Sequence, residues 1–300
     1  MSRRADVGVR LRELMPPAAD EGFSPGHRAC PGCGATIALR QALLALGPRV
    51  IVVVPASCVA SIGGWDDVTA WRVPFYHTLF PCAAAAAAGI AAGLAARGRR
   101  GVTVVSWAGD AGSGDIGLQA LSGAAGRGDD VLHVCYDNEA CMNTGGQASG
   151  LTRPGASTST TPAGKATAKK DLPRIMLAHG VPYVATASIA YPDDFAGKLR
   201  RAASRSGFRY VQVLAPCPLG SGYEPYRTVE MARRAVEEGV WPLWEAEEGR
   251  VRPTRRGRAT QGKPAGRRGP LSAPGGGRGS GVAREQGVHP GDGGRDGAGT

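Results

Sequence analysis

Residues 34–46 place Leu39, Leu43 and Leu46 at helical spacing, and Gly47 and Pro48 follow as stop signals, so a helix is predicted there. Val50, Ile51, Val52, Val53 and Val54 then form a run that is apolar at every position, the pattern of a strand covered on both faces. The alternation continues with an Ala-rich helix over 82–96, a strand over 102–106, a helix over 116–125 and a strand over 131–136. Beyond a long connection come a helix ending near His179 and Gly180, a strand over 183–186, a helix over 192–204 and a strand over 209–214. Helix and strand in strict turn, with short connections, predict an α/β fold with a mostly parallel sheet and helices on both faces. Ligands in such sheets sit at the carboxyl ends of the strands. The exception to short connections is 138–170, rich in Gly, Ser, Thr and Ala. A loop of that length inside a compact domain is functional or disordered, and its start at a strand's carboxyl end favours function. No internal repeat has a convincing period.

Composition changes this picture mainly at the ends. At 300 residues, 42% hydrophobic and 20% charged, the chain is long enough for a sizeable core and one or two domains. From 249 to 300 large apolar residues nearly vanish, and 11 Arg and Lys face 3 Asp and Glu, so +8 of the total +11 lies there and +3 elsewhere. This segment is read as a disordered, basic Gly/Arg/Pro-rich tail whose composition would also suit a shifted reading frame. The rest is nearly balanced, so the overall basicity is no argument for specific nucleic acid binding. The expected organisation is a lead-in over 1–21, one domain over 22–248 and the tail over 249–300. Residues 1–20 carry basic groups with no apolar stretch behind them, which does not support a secretory signal. The uncharged run 79–96 is mostly Ala and Gly with Pro81 near its start, a composition suited to a closely packed buried helix and not to a membrane span. The expected location is cytoplasmic.

Seven cysteines in such a chain argue against a disulfide framework and for metal or redox use. Cys30 and Cys33 form a C-x2-C knuckle just before a helix, while Cys58 and Cys217 each lie just past a strand end. Four thiolates can therefore converge on one edge of the sheet, where they suit a structural zinc or a 4Fe–4S cluster, and spacing does not choose between them. Cys82, Cys135 and Cys141 are read as packing residues. Two other strands end in polar groups, at Gly109 and Asp110 and at Asp137 and Asn138. Asp110 and Asn138 offer hard oxygen ligands to Mg²⁺ or Ca²⁺ with a diphosphate completing the shell; singly, each would be a turn former.

The pair, 28 residues apart, resembles the bipartite thiamin diphosphate motif, with Ala111 in place of its third glycine. The stretches 26–35, 117–124, 136–145, 155–165, 188–192 and 214–218 together resemble the β subunits of the pyruvate:ferredoxin oxidoreductase family, the 2-oxoacid:ferredoxin oxidoreductases. The likeness spans roughly 22–245 and implies a thiamin diphosphate-binding fold. It implies further that Cys30, Cys33, Cys58 and Cys217 ligate one 4Fe–4S cluster. Asp110, the Asn138 side chain and the Ala140 carbonyl would hold Mg²⁺ on the diphosphate, with Gly109 and Thr144 among the cofactor contacts and Asn143 approaching the thiazolium and substrate. The implied reaction is oxidative decarboxylation of pyruvate with coenzyme A to acetyl-CoA and CO₂, electrons leaving through the cluster to ferredoxin or flavodoxin. Iron and sulfur are chosen here by the resemblance, since zinc has no redox chemistry. An activating glutamate is implied to come from an α subunit, and further clusters from γ and δ subunits or their fused equivalents.

Other readings are branched-chain 2-oxoacids or 2-oxoglutarate as substrate, a structural zinc protein without catalysis, a non-oxidative thiamin decarboxylase that would leave the four cysteines unexplained, and a decayed copy. His27 is read equally as a structural or a substrate-side residue. Ser157 to Thr161 is read equally as a contact or a solvated loop, and Lys169, Lys170 and Asp171 as a solvated helix start. Arg72 is left as a candidate partner for an acid on a neighbouring subunit.

Overall fold

In the computed structural model, which describes residues 21–64 and 68–255, the apolar runs assemble into one eight-stranded sheet. Its strands are β1 (Val50–Pro55), β2 (Phe75–Thr78), β3 (Thr103–Gly109), β4 (Leu132–Asp137), β5 (Tyr183–Ser188), β6 (Arg209–Leu214), β7 (Leu243–Glu247) and β8 (Arg250–Arg255). Their spatial order is β2-β1-β3-β4-β6-β5-β7-β8. The first six are parallel, whereas β7 runs antiparallel to β5 and to β8. The helices are α1 (Gly34–Leu46), α2 (Cys58–Gly63), α3 (Ala83–Ala96), α4 (Asp110–Gly114), α5 (Leu118–Arg127), α6 (Leu172–Ala178), α7 (Pro192–Ala203), α8 (Pro218–Ser221) and α9 (Thr228–Glu237).

The period of two along the strands explains the layers. Val52, Val54, Val105, Leu132, Val134 and Val211 join one core with Leu39 and Leu43 of α1 and Phe195 and Leu199 of α7. Val53, Val104, Cys135 and Val184 join a second core with Ala87 of α3, Leu121 of α5 and Met176 of α6. Each fully buried Val or Leu in these layers contributes about 1.5–3 kcal/mol relative to exposure, which is why the central strands need to be apolar at nearly every position. The order of succession reverses between β1 and β3: β1 leads outward to β2, while β3 lies on its other side and leads to β4. The carboxyl ends of β1 and β3 therefore flank a crevice at the topological switch point.

The sheet has three strands that the hydrophobic pattern did not predict. β2 is the edge sequence Phe75-Tyr76-His77-Thr78, half covered and therefore lacking an apolar run. β7 lies within the expected domain, and β8 corrects the expectation of irregular chain from 249 onward, over residues 250–255. The buried Glu245 of β7 accepts hydrogen bonds from Tyr183 at 2.6 Å and Arg201 Nε at 2.9 Å, and pairs with Arg252 of β8 at 2.6 Å. Arg252, which reads as tail, is thus a partner of a buried acid, and Pro253 is tolerated because β8 is an edge strand. The tail beyond 255 and the lead-in before 21 lie outside the described residues. Among the described residues, no helix is long and apolar enough to cross a membrane.

Candidate active site

A cavity of about 310 Å³ opens at the switch point. It is lined by Ala56, Ser57 and Cys58 after β1, Phe80 after β2, 109–112 at the end of β3, and Tyr136, Asn138, 140–144 and Gln147 at and beyond the end of β4. Asp110, 3% exposed, begins α4, and its Oδ2 accepts a hydrogen bond from Ser149 Oγ at 2.5 Å. Burial, and then the nearby Asp137 carboxylate, push the Asp110 acid up to about 7; the Ser149 hydroxyl, the Ala111 N–H and Lys169 oppose the shift incompletely. A buried carboxylate that forms no direct ion pair among the described residues is suited to a hard cation. Asn138 Oδ1 accepts from the Ala140 N–H at 3.2 Å, and Ser61 Oγ of α2 donates to Asn143 Oδ1 at 3.2 Å.

Between Asn138 and Ala140 the backbone makes an unusual turn: Glu139 is non-glycine at φ 66°. Each of its polar groups is held. Its N–H donates to Asp137 Oδ1 at 2.9 Å, and its carbonyl accepts from Thr152 Oγ1 at 2.5 Å. Its carboxylate takes two bonds from Arg153 Nε, at 2.8 and 2.7 Å, and one from Lys169 Nζ at 2.9 Å. Lys169 also reaches Asp137 at 2.7 Å, and Gln212 donates to the same carboxylate at 2.8 Å. Burial alone would raise the Glu139 acid, but Lys169 and Arg153 outweigh it and lower it. The solvated reading of Lys169 is therefore corrected: it lies half-buried between two carboxylates, with its ammonium 4.8 Å from the Trp241 ring centre.

The cysteines gather beside this cavity. Cys33 caps α1, and the following Gly34 packs so closely on Ala215 and Pro216 that a Cβ there would lie 2.4 Å from the Pro216 carbonyl oxygen. That close approach brings the knuckle to the segment carrying Cys217, whose thiol is raised by burial against the opposing pull of the Gly220 and Leu219 N–H groups. Burial and then the fields of Cys33, Cys217 and Cys30 push the Cys58 thiol up to about 12, so all four sulfurs act on one another. Asp110 acts on Cys58 as well, and Cys58 lines the cavity. Among the described residues, no three His, Cys, Asp or Glu side chains gather tightly enough to share a single ion, although Cys58 lies in the fields of the other three thiols. Gly32, between Cys30 and Cys33, has φ +67°, and a Cβ would lie 2.1 Å from the Pro225 carbonyl oxygen. Gly32→Ala is expected to cost on the order of 2 kcal/mol or more through the left-handed backbone and this clash, read as a lower urea midpoint.

The structure thus brings Gly109, Asp110, Asn138, Ala140, Asn143 and Thr144 to one cavity, and sets Cys30, Cys33, Cys58 and Cys217 together at its side. Cys135 is buried, as expected of a packing residue, whereas Cys141 lines the cavity. His27 stacks on Phe23 and accepts from the Ala29 N–H at 3.4 Å, and Arg72 donates to Ser24. Thr158 and Thr161 pair within the long loop, which is tied down by Ser149 on Asp110 and by Gly150 N–H on Asp115 at 2.8 Å. Ser149, Arg153 and the structural part of Lys169 were not found from the sequence. The acids flanking Asn138 were the available signal, since two buried carboxylates one residue apart require cations.

This arrangement of crevice, buried acid and polar turn suits a diphosphate held through a hard cation. A family model described as the C-terminal TPP-binding domain of thiamine pyrophosphate enzymes matches residues 60–213. The chain is 50% identical over 242 residues to the pyruvate synthase subunit PorB of Methanothermobacter thermautotrophicus, covering 79% of this chain and 84% of that one. It is 44% identical over 254 residues to the ketoisovalerate oxidoreductase subunit VorB of Pyrococcus horikoshii, covering 81% of each. A 2-oxoglutarate:ferredoxin oxidoreductase structure from Magnetococcus marinus superposes with a TM-score of 0.59 at 25% identity, covering 73% of this chain and 81% of that one. The chain belongs to the 2-oxoacid:ferredoxin oxidoreductase family, as a β subunit of the PorB type. It is one subunit of a multi-subunit oxidoreductase, so other subunits are implied.

Proposed function

We infer that the chain is the β subunit of a pyruvate:ferredoxin oxidoreductase, forming acetyl-CoA and CO₂ from pyruvate and coenzyme A. The observation that carries the electron path is that Cys58 belongs to two sets at once, lining the cavity with Asp110 and lying in the field of Cys30, Cys33 and Cys217. Four thiols, three of them acting on Cys58, suit a 4Fe–4S cluster, and the redox step selects iron and sulfur because zinc has no redox chemistry. Asp110, Asn138 and the Ala140 carbonyl would hold Mg²⁺ on the diphosphate, with Gly109 and Thr144 beside it. Thiamin diphosphate, when bound, supplies an electron sink for decarboxylation of a 2-oxoacid. Phe80 and Met142 give that cavity apolar walls that limit water, and Asn143, whose Oδ1 accepts from Ser61, stands at its lining.

No glutamate lines the cavity among the described residues, which supports an activating glutamate from an α subunit. Leu79, next to Phe80 at the cavity, and Leu219 and Tyr226, near Cys217 in the chain, are 74%, 71% and 84% exposed, as surfaces awaiting other subunits would be. Ferredoxin or flavodoxin is the onward acceptor, reached through γ and δ subunits or their fused equivalents. The VorB relatives support branched-chain 2-oxoacids as a second substrate reading. The test is to assemble the chain with its partner subunits and compare kcat/KM for pyruvate, 2-oxoisovalerate and 2-oxoglutarate with coenzyme A. Pyruvate is expected to rank first, and the chain without an α subunit to be inactive. A higher value for another acid would reassign the substrate.

Asp110 also makes loading pH-dependent. A carboxyl whose metal-free pKa is about 7 is mostly protonated at pH 6 and mostly ionised at pH 8. Binding of Mg²⁺ and thiamin diphosphate is therefore expected to release up to about one proton from this group at pH 6 and little at pH 8. Calorimetry in buffers of different ionisation enthalpy reads this proton count directly.

A further inference from the structure

We propose that Lys169 is a positioning residue for the cofactor-holding turn and acts through Glu139. This rests on the assignment of Asn138 and Ala140 as ligands, and extends it to a residue that does not line the cofactor cavity. Asn138 and Ala140 line that cavity, while Glu139 between them, with Arg153 and Lys169, borders a second cavity formed against α6 and the β7–β8 hairpin. One residue thus separates the two spaces, and its left-handed backbone, φ 66°, sets how its neighbours are presented.

A glutamate gains nothing intrinsic from that conformation, so its surroundings must hold it there. Asp137 and Thr152 grip its backbone, but Arg153 and Lys169 grip its side chain, and among the described residues it is Lys169 that bonds to the carboxylates of both Glu139 and Asp137. The ammonium is in turn seated over Trp241, at the start of the segment leading into β7. Lys169 therefore ties the start of the turn, its strained centre and the β7–β8 side of the sheet into one unit. Residues that orient metal ligands from behind typically change metal affinity by roughly 10-fold to 100-fold when replaced.

The experiment titrates Mn²⁺, as a stand-in for Mg²⁺, into the assembled oxidoreductase with thiamin diphosphate, reading free Mn²⁺ by electron paramagnetic resonance. Wild type, Lys169→Met, Lys169→Arg and Glu139→Gly are compared. Lys169→Met is expected to weaken Mn²⁺ by at least roughly 10-fold, and Lys169→Arg to recover most of the loss by pairing with both carboxylates. Glu139→Gly accepts the left-handed backbone without strain yet lacks the clamp, and is expected to weaken binding similarly. That variant decides the matter if Lys169→Met does not assemble. Wild-type affinity in Lys169→Met or in Glu139→Gly would overturn the positioning role. Failure of wild type itself to bind Mn²⁺ together with thiamin diphosphate would instead overturn the ligand assignment on which the inference rests.

Discussion

Asp110→Asn is expected to weaken Mg²⁺-dependent cofactor loading strongly while stabilising the metal-free chain. The carboxylate is buried, and the acid is raised from 3.8 to about 7 by burial and by Asp137. The sign follows from which state holds more protons. Between these two values the folded chain binds the proton and the unfolded chain does not, so stability falls as pH rises from about 4 to about 7 and is flat above. The difference corresponds to roughly 4 kcal/mol of unfavourable charging by pH 8. Asparagine keeps the shape and the acceptor for Ser149 but carries no charge, so the metal-free variant is expected to exceed wild type by a few kcal/mol at pH 8 and to match it near pH 4. Loss of the charged ligand is expected to weaken Mg²⁺ binding on the order of 100-fold, about 3 kcal/mol. Urea unfolding of metal-free protein at the two pH values, with calorimetric titration of Mg²⁺ and thiamin diphosphate, measures both effects. A variant no more stable than wild type at pH 8 would show that Asp110 carries no such strain.

The second large effect concerns Cys58. Cys58→Ala is expected to leave thiamin diphosphate binding within about threefold of wild type, because Asp110, Asn138 and Ala140 are intact, while 2-oxoacid-dependent reduction of ferredoxin falls by on the order of 100-fold or more. Removing one of four ligands leaves no complete redox centre beside the cofactor cavity. Metal-free, the same change should be mild, since the thiol it removes is half-buried and pushed up to about 12, hence uncharged at neutral pH. Cofactor binding by calorimetry and acceptor reduction in the assembled complex separate the two functions. Equal loss of both would mean that Cys58 supports the fold and not a cluster.

The parallel strands were legible because burial on both faces forces apolar residues at successive positions, as in 50–54, and because Gly47 and Pro48 mark the end of α1. β2 was not, since an edge strand half covered by neighbours can read Phe-Tyr-His-Thr. The β7–β8 hairpin was hidden for a different reason. Arg252 signals solvent until the buried Glu245 is known to face it across the hairpin, with Arg201 of α7 as that acid's second, distant partner. At the site, cysteines and acids at strand ends could be found because chemistry restricts the residue types. Ser149 and Lys169 could not, since serine and lysine are ordinary loop residues and only the folded loop places them against Asp110, Asp137 and Glu139.

The measurement that bears most directly on the account is metal analysis with a visible spectrum of the full-length chain, purified without oxygen and apart from its partner subunits, beside Cys58→Ala. The account predicts about four irons per wild-type chain and a broad band near ~400 nm, both lost in the variant. Stoichiometric zinc with no colour would contradict it, removing electron transfer from this subunit.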